Sequence, residues 1–296
     1  MPWHFTHDVE AFRAAAGPYL SADPGRNTVL LTVSEMVRRH GPFVYGKGAP
    51  VLFGWWRAAP DGPVGAACLQ TPPMPLQLSV MTDDAARALA RELQADALPD
   101  ARGSRGATGV TGARGATGVT GESPNARAFA EEWASGGFRV AHETRLFRLG
   151  ELTPPRPGPD GRARLATPEE IPFAAAWLSA FRVDIGEEAA DCTDAATTRV
   201  RDGRLLFWET GGRPAAMAGV SPVVAGQARV APVYTPPELR GRGYAGAVTV
   251  AATRLAQRSG ADEVLLFTDL ANPTSNALYR RLGYRPVTDH LELVFT

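Results

Sequence analysis

Cysteine and lysine are both scarce in this sequence of 296 residues. The two cysteines, Cys68 and Cys192, lie in different halves of the chain, so they cannot supply a disulfide framework or a cysteine-rich zinc site. Lys47 is the only lysine among 31 basic residues. Any cationic contact to a phosphate must therefore come from arginine, and a mechanism that uses a catalytic lysine is nearly excluded.

Long apolar runs and net charge are also missing. No run approaches the ~20 apolar residues that a membrane-spanning helix needs, and the first eight residues lack the basic start and apolar core of a signal peptide. The formal net charge is zero, whereas nucleic-acid-binding proteins usually carry a basic excess. We therefore predict a cytoplasmic protein with neither a membrane nor a nucleic acid as its partner.

The length and a hydrophobic content of 44% fit two globular domains. Residues 153–160 are rich in proline and predict a linker between segments 1–152 and 161–296. Both segments show the same order of helical and strand patterns, which indicates a duplicated lobe. The predicted fold class is α/β (α+β), in which each lobe has a mixed, mostly antiparallel sheet flanked by helices.

Glycine recurs at every third position from 103 to 121. The sequence Gly-Ala-Thr-Gly-Val-Thr-Gly occurs at both 106–112 and 115–121. A collagen helix would need proline within the repeat and many more triplets, and the repeat contains no proline. We interpret 103–121 as a surface loop that was lengthened by a tandem duplication.

A second glycine-rich segment has a different context, because it lies between a predicted strand (228–234) and a predicted helix (243–259). The first amides of a helix have no intrahelical partner and lie at its positive end. Glycines let the backbone approach a phosphate closely. Residues 240–245, Arg-Gly-Arg-Gly-Tyr-Ala, therefore predict a pyrophosphate site.

Two other phosphate-binding motifs compete for this segment. A Walker A loop is excluded, because no Gly-Lys-Ser/Thr follows. The spacing of Gly241, Gly243 and Gly246 matches a Rossmann fingerprint, and Asp262 or Asp269 is a candidate for its acidic residue. The strands before the loop are predicted to be antiparallel, which opposes this nicotinamide-nucleotide interpretation without removing it.

Segment 233–245 resembles the central cofactor motif of the GNAT acyltransferase superfamily. That motif is Arg or Gln, two residues, Gly, one residue, then Gly or Ala, and Arg240, Gly243 and Ala245 match it. Segment 267–284 resembles the family's next segment, in which Asn276 and Tyr279 match the residues near the cofactor's pantetheine and sulfur. Asn272 is a second candidate for the asparagine.

The resemblance implies two GNAT-like lobes and an acetyl-CoA (or another acyl-CoA) cofactor. It implies direct transfer, in a ternary complex, to an amine of a small molecule or a protein, by a monomer or homodimer. In the N-terminal lobe the matching position holds Asp83 and Asp84 and no glycine. We therefore expect that lobe to be degenerate and not to bind CoA.

The resemblance also implies that Tyr279 is the general acid. Many family members use a carboxylate on the central strand as the base, but here that strand, 227–234, has no acid. Glu238, the first candidate, and Asp269, Glu209 and His290 are therefore possible substitutes. The residues expected to contact the cofactor are Val233, Tyr234, Thr235, Arg240, Gly241, Arg242, Gly243, Tyr244, Ala245, Asn272 and Asn276. The alternative function is a non-catalytic module that binds acyl-CoA for regulation or interaction.

Overall fold

The computed structural model describes residues 3–45, 50–97 and 116–296. The chain divides into two compact units. Unit 1 contains Met1–Leu146, Asp269–Ala271 and Val287–Thr296, and unit 2 contains Phe147–Thr268 and Asn272–Pro286. The segments predicted from sequence differ from these units at the C-terminus, because the last ten residues belong to unit 1.

Unit 1 has one sheet in the order β1-β2-β3-β4-β5-β12. Its elements are β1 Trp3–Thr6, α1 Val9–Ala22, α2 Thr28–His40, β2 Leu52–Arg57, β3 Val64–Gln70, β4 Leu76–Leu78, α3 Asp83–Ala97, β5 Gly118–Glu122, α4 Ser123–Trp133, most of β6 Phe138–Leu149 and most of β12 Tyr284–Phe295. Asp8 caps α1, as predicted, by accepting from the amides of Glu10 and Ala11. Within this order, β4 and β5 are parallel, and the other pairs are antiparallel.

The prediction of a surface loop at 103–121 is wrong at its C-terminal end, because Gly118–Glu122 forms the largely buried strand β5. A Cβ at Gly118 would lie 2.3 Å from the carbonyl oxygen of Leu293, so glycine permits the close approach of β12. Val119 is fully buried in the core. The part of the repeat up to residue 115 lies outside the described residues.

Two predictions from the strand patterns are also wrong: that 138–140 and 145–149 form a pair of strands, and that two short strands close the chain. Each of the segments 138–149 and 284–295 is a single strand of 12 residues, β6 and β12, rather than two shorter strands. Neither segment contains a glycine that would permit a tight turn, so each strand continues without interruption. In unit 1, β12 pairs with β5 from His290↔Glu122 to Val294↔Gly118.

Unit 2 has strands in the order β11-β10-β9-β8-β7. Its elements are β7 Arg162–Leu165, α5 Ile171–Asp184, α6 Thr193–Arg201, β8 Leu205–Thr210, β9 Arg213–Val220, β10 Gln227–Tyr234, α7 Tyr244–Arg258, most of β11 Glu263–Asp269 and α8 Pro273–Arg281. The pairs are antiparallel except β10 with β11. The predicted capping box of Thr167 and Glu170 is present before α5.

The fold class is confirmed, because both units have mixed, mostly antiparallel sheets flanked by helices. In each unit the parallel pair is joined through a helix: α3 connects β4 to β5, and α7 connects β10 to β11. The duplication itself stays a prediction. None of the helices described is both long enough and apolar enough to cross a membrane.

Candidate functional site

The sheet of unit 2 opens where β10 leaves β11. The parallel register runs over Gln227↔Glu263 and Ala228↔Val264 and ends at Arg229↔Leu265. Further along, β10 remains paired with β9, with a shift in register between Val230 and Val233. In the described part of the chain, Val233 and Tyr234 of β10 are therefore paired with β9 and not with β11.

The anion-binding loop (240–245) begins just after this strand end. A single turn of 3-10 helix at Pro237–Leu239 precedes it. Gly241 and Gly243 have φ angles of 77° and 83°, in the left-handed region that favours glycine. A Cβ at Gly241 would meet no atom within 4 Å, so the backbone of the loop is open to a ligand at that position.

The N-terminus of α7 follows the loop directly. Gly243 is its N-cap, and the first hydrogen bond runs from the amide of Ala247 to the carbonyl of Gly243 at 3.1 Å. The amides of Tyr244, Ala245 and Gly246 precede that bond. Within residues 116–296 no side chain caps this end, and its first turn has no acidic residue. The positive end of the helix dipole is thus accompanied by free donors.

The two arginines of the loop have different partners. Arg240 donates from Nε to the carbonyl of Thr235 at 2.9 Å and forms an ion pair with Asp184. Arg242 donates to the carbonyl of Glu238 at 3.2 Å. The sequence predicted both guanidinium groups at the rim of the phosphate site, and only Arg242 is without a carboxylate partner in the described part of the chain.

Helix α8 contains the predicted asparagines and tyrosine: Asn272 is its N-cap, and Asn276 and Tyr279 lie within it. The side chain of Asn272 caps the helix by accepting from the amide of Ser275 at 3.0 Å, and Asn276 donates to the carbonyl of Asn272 at 2.8 Å. Tyr279 is only 8% exposed, and burial raises the pKa of its phenol to about 12. Its ring lies edge-on to Tyr284, with ring centroids 6.2 Å apart.

A family model described as Acetyltransferase (GNAT) family matches residues 172–284. This range contains the open strand end, the anion-binding loop, α7 and α8. Residues 172–284, here named the GNAT domain, are therefore similar to the GNAT acetyltransferase family. No curated protein sequence matches the chain significantly.

Solved structures share the fold over the whole chain. A GNAT-family acetyltransferase from Colwellia psychrerythraea is 11% identical, with 100% of both chains covered and a TM-score of 0.59. A GCN5-related N-acetyltransferase from Sphaerobacter thermophilus is 17% identical, covers 99% of this chain and 94% of its own, and has a TM-score of 0.56. A Drosophila protein is 12% identical over 98% and 97% of the two chains, with a TM-score of 0.67.

The candidates for a base in the GNAT domain differ in their surroundings. Glu238 is exposed in the turn before the anion-binding loop. Glu209 pairs with Arg164 and Arg162, and its hydrogen bond from Arg164 lowers the pKa of its carboxyl. Asp269 accepts from the amide of Ala271 at 2.7 Å. His290 lies in unit 1, where burial lowers its pKa to about 4. Glu238 remains the first candidate.

Sequence reasoning missed two residues beside the loop of the GNAT domain. Asp184, the partner of Arg240, is 56 positions away from it in the chain, so no local pattern connects them. Trp177 packs edge-on against Tyr234, with ring centroids 5.6 Å apart, and thereby joins α5 to the end of β10. The aromatic spacing along α5 could have indicated a packed face, but not its partner.

Unit 1 offers an internal comparison for the GNAT domain. Its helix α3 occupies the place of α7, but the hydroxyl of Thr82 caps it by accepting from the amide of Ala85 at 3.3 Å. Its first turn contains Asp83 and Asp84. An anion at this end would meet two carboxylates and an occupied donor.

Proposed function

We propose that the GNAT domain is an acyl-CoA-dependent N-acyltransferase that moves an acetyl group from acetyl-CoA to an amine of a small molecule or a protein. One observation carries the proposal: α7 begins without a side-chain cap, directly after left-handed glycines and beside the open end of β10. Free amides and a helix dipole at one point suit a pyrophosphate. The edge of β10 beyond its register with β11 suits an extended pantetheine chain.

The residues divide into three contact groups. The amides of the anion-binding loop and of the first turn of α7, with the guanidinium of Arg242, would hold the pyrophosphate. The backbone at Val233, Tyr234 and Thr235 would hold the pantetheine. Asn272 and Asn276 would lie along the same chain, although both now stabilise the start of α8. When bound, acetyl-CoA supplies the acetyl thioester.

The chemistry follows from these positions. With acetyl-CoA and a neutral amine bound, backbone donors near Val233 would stabilise negative charge on the oxygen of the thioester carbonyl. Glu238 would accept the amine proton, directly or through water. Tyr279 would donate its proton to the sulfur of the CoA thiol that leaves.

Calorimetry with CoA and with NAD, side by side, tests the cofactor. We expect binding of CoA alone, because β8, β9 and β10 are antiparallel rather than the start of a parallel nucleotide-binding sheet. Consumption of acetyl-CoA with a panel of small amines and peptides then tests catalysis. Tight binding of CoA with no turnover on any amine would favour the non-catalytic module instead.

A further inference from the structure

Arg240 holds three parts of unit 2 together. Its Nε donates to the carbonyl of Thr235, the residue after β10, at 2.9 Å. Its terminal nitrogen binds the carboxylate of Asp184, the last residue of α5. The backbone of Arg240 itself belongs to the anion-binding loop. One side chain therefore connects the loop, the end of a strand and the end of a helix.

The electrostatic environment favours this arrangement. Asp184 lies at the C-terminal end of α5, where the helix dipole disfavours a negative charge. The only basic residue in the last turn, Arg182, is already bound to Glu187 at 2.8 Å. Arg240 supplies the cation that Asp184 lacks. In return, its own charge is compensated within the protein.

Arg242 differs from Arg240 in this respect. Its hydrogen bond goes to the backbone carbonyl of Glu238, which carries no formal charge. Nowhere in residues 116–296 does a carboxylate pair with it, and its side chain is exposed. An anionic ligand would thus compete with Asp184 for Arg240 but with no carboxylate of residues 116–296 for Arg242.

A second contact joins α5 to the end of β10. Trp177, in the middle of α5, packs against the ring of Tyr234, the last residue of β10, which is 7% exposed. The ion pair of Arg240 and Asp184 and this ring contact therefore both hold α5 beside the strand end at which the thioester and the amine would meet.

We propose that Arg240 and Asp184 are a positioning pair that fixes the ends of α5 and β10, while Arg242 and the α7 amides bind the phosphates. This inference rests on the proposed function and divides the two arginines of its motif between two tasks. Loss of the positioning pair should impair use of the amine and leave the affinity for CoA almost unchanged.

The experiment compares Arg240→Gln, Asp184→Asn, the double variant and Arg242→Gln as the matched control. Calorimetry at several salt concentrations gives the Kd for CoA. We expect Arg242→Gln to weaken binding about tenfold or more and to reduce its dependence on salt. Arg240→Gln and Asp184→Asn should change the Kd less than about threefold.

Steady-state kinetics and melting curves measure the use of the amine and the stability of each variant, which the affinity for CoA does not report. Each variant of the positioning pair should raise the KM for the amine or lower kcat, and the double variant should match the single ones, because both remove the same contact. The inference is overturned if Arg240→Gln weakens CoA binding as Arg242→Gln does, or if the effects of the two variants on melting simply add. If the wild-type protein binds no CoA, the proposed function is refuted. The melting temperatures of the single and double variants still show whether Arg240 and Asp184 act as one unit.

Discussion

Substitutions of Gly243 measure the charge at the proposed phosphate site. A Cβ at this position would lie 3.7 Å from the ring of Pro159, which is an ordinary contact. The φ angle of 83° is left-handed, and Asn and Asp are the residues that tolerate this region best after glycine. Both also serve as helix N-caps. Gly243→Asp and Gly243→Asn therefore introduce nearly the same shape and differ by one negative charge.

The size of the effect follows from Coulomb's law. Two unit charges about 5 Å apart repel by roughly 0.8 kcal/mol at the dielectric constant of water, and by roughly 3.3 kcal/mol at an effective value of 20. A pyrophosphate carries two charges, so the penalty is about 1.7 to 6.6 kcal/mol. The Kd for CoA of Gly243→Asp should exceed that of Gly243→Asn by at least about fifteenfold.

Calorimetry with CoA at low and high salt provides the assay. The gap between the two variants should narrow as salt increases, because mobile ions screen exposed charges. Melting curves serve as the control, and we expect the two variants to unfold at similar temperatures. Equal affinities for CoA in both variants, close to that of the wild type, would refute the proposed site.

Three further predictions concern the acid, the C-terminal strand and a buried carboxylate. Tyr279→Phe should lower kcat more than it changes the affinity for CoA, and with a pKa of about 12 the wild-type kcat should show no falling limb from Tyr279 below pH ~10. Removal of 287–296 should abolish cooperative thermal unfolding of unit 1, because Leu291 and Leu293, 4% and 0% exposed, each contribute about 1.5–3 kcal/mol to its core. Hydrogen bonds from arginines lower the pKa of the Glu35 carboxyl from 4.5 to about 2. Its contribution to the free energy of unfolding is therefore complete above the pKa of the unfolded chain and is lost as the pH falls through about 2. Urea unfolding at pH 7 should show Glu35→Gln destabilised by up to about 3 kcal/mol, with the difference shrinking near pH 3.

The anion-binding loop was predictable because its determinants are local. Glycine positions, the preceding strand and the following helix all lie within 228–259, and Gly243 does begin α7. The starts of α1 and α5 were predictable for the same reason, since Asp8 and Thr167 act on amides within their own helix ends.

The remaining features depend on distant contacts. Glycine is disfavoured in strands, so no local pattern indicates β5, and its place in the sheet depends on the contact of Gly118 with β12. The partner of Arg240 could not be predicted, because the fold alone brings Asp184 to it. The sequence alone predicts the candidate phosphate segment, and long-range packing determines that its Arg240 pairs with Asp184.

From the difference between the two units we predict a stoichiometry of one CoA per chain. In unit 1 the segment after β4 is bound by side chains from its own helices: Asn27 accepts from the amide of Val80 at 3.1 Å, and the hydroxyl of Tyr19 donates to the carbonyl of Val80. Thr82 caps the following helix, whose first turn carries two acids. The amide of Ala85 is thus already bound, and the two carboxylates would repel a pyrophosphate. Calorimetry with CoA should therefore give one site per chain, and in the Gly243→Asp variant that single site should be weakened, with no second site of unchanged affinity. A second site would show that unit 1 exchanges these internal contacts for a ligand.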